Sequence, residues 1–140
     1  MNNLFFLLIF IIIFNIKVNA KENIDYFYLG KENFQNKYLD KAKFYFERDI
    51  VRNPKNTKSY LFLAKIYEKK KQEDEFEKNL NTVLLLDPIN EEGLYILIKK
   101  KIKDGDFLIA KKKLDIFKSH CKDLCDKNSE LNKIIIKPKI

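Results

Sequence analysis

Glycine and proline are scarce, with three of each in 140 residues, and the chain has one His, two Cys and no Trp. So few turn formers exclude a strand-rich fold with many tight reversals and leave helices favoured. Three glycines can hardly build a phosphate-cradling loop, and no Ser-based nucleophile elbow or metalloprotease helix motif occurs. His120 adjoins Cys121, and neighbouring residues on a helix point about 100° apart, so a hydrogen-bonded Cys and His pair is not expected locally. His120, Cys121 and Cys125 offer three ligands where a structural zinc site wants four. No catalytic residue, cofactor site or metal site is expected. The acids Glu73, Asp74, Glu75 and Glu77 read as a solvated face.

Apolar residues make up 46% of the chain and charged residues 34%, enough to fill the modest core of one domain. The net charge of +8 favours anionic partners: acidic proteins, anionic lipid or nucleic acid.

The apolar run Leu4 to Ile16 is 13 residues long, short of the roughly 20 that span a membrane and suited to the core of an export signal. Val18, Asn19 and Ala20 place small side chains where signal peptidase needs them, ahead of the polar Lys21, Glu22 and Asn23. Residues 1–20 are therefore expected to be a signal peptide cleaved after Ala20, or an uncleaved membrane anchor, because Met1, Asn2 and Asn3 carry no Lys or Arg. No Cys follows the cleavage site to receive a lipid. Loss of the segment leaves +7, and an exported, basic chain in the periplasm or envelope is not expected to meet nucleic acid.

Pro54 and Pro88 lie 34 residues apart, and windows drawn at that period, 23–56, 57–90 and 91–124, align like with like. Tyr26, Leu29, Gly30, Ala42, Phe46 and Pro54 stand at packing positions in the first, and Tyr60, Leu63, Ala64, Tyr67, Leu80 and Pro88 stand at packing positions in the second. Leu94, Leu97, Ala110, Leu114 and Phe117 serve in the third, with Gly105–Asp106 as its turn. Small residues at Gly30, Ala64, Ala42 and Ala110 let paired helices approach closely. Asn53–Pro54 and Asp87–Pro88 end helices, and Asn56 and Asn90 are placed at the N-cap of the next. Phe76 and Ile98 depart from the pattern, being bulky where small residues belong, and Lys122 replaces a third Pro.

This pattern resembles the tetratricopeptide-repeat family over nearly all of the chain after the signal. The resemblance implies an all-α fold: a right-handed superhelix of three helical hairpins over residues 21–122, then a C-terminal capping helix and tail over 123–140. Asp123 to Lys137 supplies that helix, with Leu124, Leu131, Ile134 and Ile135 at helical spacing. The family binds peptides or helices on a concave surface lined by the first helix of each pair. Carried over position by position, its groove contains Phe27, Leu61 and Tyr95 as an apolar strip and Lys31, Lys65 and Lys99 as a lysine ladder, with Lys69 and Lys103 beside it. Such a groove suits an acidic or amphipathic segment of a protein partner. The subtype that clamps a C-terminal carboxylate is not expected, because Phe27, Phe62 and Ile96 stand where clamp residues belong. Cys121 and Cys125, four residues apart, can pair in an oxidising compartment or stay as free thiols.

Overall fold

The computed structural model describes residues 24–136, so the expected signal segment and the last four residues lie outside the described residues. Seven helices follow one another: α1 Tyr26–Gln35, α2 Leu39–Arg52, α3 Thr57–Lys69, α4 Glu73–Leu86, α5 Glu91–Lys103, α6 Phe107–His120 and α7 Lys127–Ile136. The first six form three hairpins, and among the described residues there is no strand. The all-helical reading of the sequence holds.

Local signals explain most boundaries. Asp25 caps α1 by accepting the N–H of Tyr28 at 2.9 Å, Asn90 caps α5 through Gly93 at 3.0 Å, and Asp106 caps α6 through Ile109 at 3.3 Å. Asn56 also precedes its helix but caps nothing; its side-chain amide instead donates to Asp49 at 2.6 Å. The turn inside each hairpin passes through the left-handed region at one equivalent residue, Lys37 (φ 64°), Lys71 (φ 56°) and Gly105 (φ 78°). Only the third turn has the residue that adopts this backbone without steric cost. The stacking geometry dictates that conformation whatever side chain the sequence supplies.

Packing follows the small residues. A Cβ on Gly30 would lie 2.7 Å from the ring of Phe46, so α1 and α2 approach as closely as they do because nothing stands there. The bulky departures are accommodated in kind: Phe76 is buried in one cluster with Ala64, and Ile98 in another with Ala110, so each hairpin keeps a small residue on one of its two helices. The first cluster is rich in aromatics. The rings of Phe46 and Phe62 stack at 4.9 Å between centroids, and Phe27 and Phe34 meet Phe62 at 5.9 Å and 5.1 Å. Burying one such ring contributes about 2–3 kcal/mol. The second cluster is mostly aliphatic, with Leu94, Ile98, Leu114, Leu131 and Ile135 around Phe117.

The terminal helix begins four residues later than the apolar spacing predicts. Residues 121–126 form a loop because the Glu91 carboxylate of α5 accepts the backbone N–H groups of Lys122, Asp123 and Leu124 at 2.9, 3.0 and 2.6 Å. A disulfide between Cys121 and Cys125, with Cα atoms 5.3 Å apart, closes the same loop. The pair does not sit on one helical turn: α6 ends at His120, and Cys121 is extended.

Candidate peptide-binding groove

The residues expected to line a groove all lie on α1, α3 and α5, the first helices of the three hairpins. Those helices present the face not covered by their partners, and the side chains there divide into two groups.

The apolar strip is largely drawn into the protein. Leu61 is buried, and Phe27 is half-buried with its ring 5.9 Å from those of both Phe46 and Phe62. Tyr95 is half-buried against Phe117, with ring centroids 6.4 Å apart. These three mainly join neighbouring helices, and Phe27 and Tyr95 offer a ligand only their outer edges. The sequence pattern could not separate strip from core, because both recur at the same interval.

The lysines behave differently. Lys31, Lys69, Lys99 and Lys103 are exposed, and no carboxylate pairs with them among the described residues. Lys99 lies over the Tyr95 ring at 5.5 Å. Lys65 is the exception, half-buried, 2.5 Å from Glu92 of α5 and over the Phe62 ring at 5.0 Å. Glu92 thus neutralises the middle of the ladder. It belongs on the same lining face, and its charge was readable there. Lys133 of α7 was missed altogether: it continues the 34-residue interval of Lys31, Lys65 and Lys99, and is exposed. Leu131 likewise continues Leu29, Leu63 and Leu97, so α7 packs as the first helix of a further half-unit.

Charges elsewhere hold the hairpins together. Glu73 and Glu77 of α4 are exposed, as expected, and both also reach Lys100 of α5, at 2.6 and 2.9 Å, with Asp104 completing the set at 3.0 Å. Hydrogen bonds from that lysine to Glu73 and Glu77 hold its pKa above the usual range. Lys70 of α3 reaches back to Asp40 of α2 and holds that carboxyl below its ordinary value. Burial beside Glu47 and Glu75 pushes the Tyr67 hydroxyl up to about 12.

Glu91, Cys121 and Cys125 converge within 4.8 Å of one another. The two sulfurs are bonded to each other and three N–H groups already occupy the carboxylate, so the cluster is a loop clasp. His120 turns its Nδ1 to the Ile116 carbonyl and Ser119 Oγ, both at 3.0 Å.

Helical hairpins stacked side by side, each small at the crossing and each joined to the next by a four-residue link, define a helical-repeat protein. The family model of the tetratricopeptide repeat matches residues 57–90, the second hairpin, and this match together with the seven-helix, all-helical architecture fits the tetratricopeptide-repeat family. Comparison with curated proteins finds no match. Such repeats serve as protein–protein interaction scaffolds and are generally not catalytic.

Proposed function

We propose that the chain is an exported interaction scaffold that holds an acidic or amphipathic segment of an envelope protein against the exposed face of α1, α3 and α5. The observation that carries this reading is the set Lys31, Lys69, Lys99 and Lys103, exposed at recurring positions and without carboxylate partners among the described residues. Unpaired cations on a rigid surface favour association with carboxylates and speed encounter with them. The outer edges of Phe27 and Tyr95 supply apolar contact beside them. Export rests on the apolar run Leu4 to Ile16 and the small residues before Lys21, which also leave retention in the membrane as an anchor consistent with the reading.

A second reading, a structural subunit of an envelope assembly that joins neighbours through its end faces, draws on Ile134 and Ile136, both exposed on α7. Affinity capture from the native host separates the two. Converting Lys31, Lys69, Lys99 and Lys103 to Glu is expected to abolish capture of the partner while the helical circular dichroism stays unchanged. Capture that survives the four changes overturns the groove, and survival with loss on Ile134→Asp and Ile136→Asp supports the end face.

A further inference from the structure

The outer flank of the first hairpin has a chemistry that the groove does not use. Three cations there each lie over an aromatic ring: Lys41 over Tyr38 at 5.5 Å, Arg48 over Phe44 at 5.0 Å and Arg52 over Tyr26 at 4.5 Å. None has a carboxylate partner among the described residues. The acids of α2 are all engaged elsewhere. Asp40 holds Lys70, Glu47 holds Lys43 at 3.1 Å, and Asp49 is buried under Asn53, Asn56 and Ser59. The flank is left with three positive charges between exposed apolar side chains: Tyr38, Phe44 and Val51, the last 81% exposed.

We infer that this flank docks on the surface of an anionic lipid bilayer. Aromatic rings with a polar edge and cations on aliphatic stems are the side chains that settle at a bilayer interface, the rings among the head groups and the charges on lipid phosphates. The equivalent surface of α4 is unsuited, because Glu73, Asp74, Glu75 and Glu77 outnumber its single Lys78. With the apolar run retained as an uncleaved anchor, the sequence puts the right hairpin within reach. Only nine residues separate the apolar run ending at Ile16 from Tyr26, and nine residues span at most about 30 Å. The ring of Tyr26 lies under Arg52 on the flank itself. The three cations of the flank all lie on α2, whereas the groove lysines lie on α1, α3 and α5, so docking leaves those lysines available.

The chain has no Trp, so a single introduced indole reports on its own position. The full chain carrying Phe44→Trp is mixed with phosphatidylcholine vesicles, with or without an equal part of phosphatidylglycerol, some containing brominated acyl chains. A blue shift and bromine quenching are expected with the anionic vesicles alone. Adding Arg48→Glu and Arg52→Glu is expected to lower partitioning by at least about thirtyfold. Leu85→Trp, on α4, is expected to show neither effect. Equal responses to neutral and anionic vesicles, equal responses at Leu85→Trp, or a response to a single-stranded oligonucleotide without one to vesicles each overturn the inference. Val51→Trp repeats the measurement from a site with no packing role should Phe44→Trp disturb the fold.

Discussion

Where the first hairpin meets the second, Asp49 of α2 is buried against Ser59 of α3. At the same place between the second and third, Val83 of α4 lies against Gly93 of α5, where a Cβ would come within 2.8 Å of Val83. The first seam is therefore polar. Asp49 accepts hydrogen bonds from Asn53 at 2.9 Å, Asn56 at 2.6 Å and Ser59 at 2.5 Å. The second seam is apolar at this point, and α5 starts from an ordinary Asn90 cap. One backbone geometry is thus served by two chemistries, a carboxylate with its donors in one case and a valine with a missing side chain in the other. The polar version depends on all its members, because a buried donor left without a partner costs more than the bond contributed. The apolar version depends on volume alone.

The largest expected effect falls beside the polar network of the first seam, where Phe46 of α2 stacks on Phe62 of α3. Phe46→Ala empties the centre of the aromatic cluster and is expected to cost about 3–5 kcal/mol in denaturant unfolding, more than a change at Asp49. Next, Asp49→Val alone strands Ser59 and Asn56 and is expected to cost about 1–3 kcal/mol. Asp49→Val combined with Ser59→Gly rebuilds the second seam's chemistry in the first and is expected to cost less than Asp49→Val alone. A double variant as costly as the sum of its parts breaks the idea that the two seams are interchangeable.

The smallest effect concerns the clasp at Glu91. Desolvation opposes its ionisation, but the N–H groups of Leu124, Asp123 and Lys122 outweigh that and hold its pKa below the ordinary glutamate value. A carboxyl lowered in the folded state contributes stability above its unfolded pKa, about 4.3, and loses it as pH falls through the lower folded value. Amide exchange in α7 is expected to accelerate in that acid range. Glu91→Gln is expected to show faster exchange at neutral pH and no further acid step.

The period was legible because it is written in residues with strong local preferences: Pro54 and Pro88 end helices, and Gly30, Ala42, Ala64 and Ala110 must be small for helices to meet. Lys31, Lys65 and Lys99 were legible from the interval itself, and extending the same count reaches Lys133, which the reading of three repeats had left out. What the sequence hid was direction. Phe27, Leu61 and Tyr95 share the window position from which the resemblance predicts a groove lining, yet Leu61 is buried and Phe27 and Tyr95 pack partly against the rings of Phe46 and Phe117. Pairings across hairpins were hidden too. Lys65 with Glu92, and Lys100 with Glu73 and Glu77, join residues more than twenty apart, which no local pattern marks. The late start of α7 was hidden because its cause, a carboxylate on α5, lies some thirty residues upstream.

That carboxylate also decides how the array resists being pulled apart. Hairpins in a stack touch only their neighbours, so tension on one end is carried link by link along the chain. The disulfide ties Cys121 only to Cys125 and cannot fasten α7 to anything behind it. Among polar contacts, a tug on the C-terminal helix is therefore borne by Glu91 and its three backbone donors, beside the Lys118 contact to Asn132 at 3.4 Å and the Asn128 amide donating to Cys121 Sγ at 3.5 Å. Glu91 is the mechanical anchor of that end, and proton concentration sets how firmly it holds.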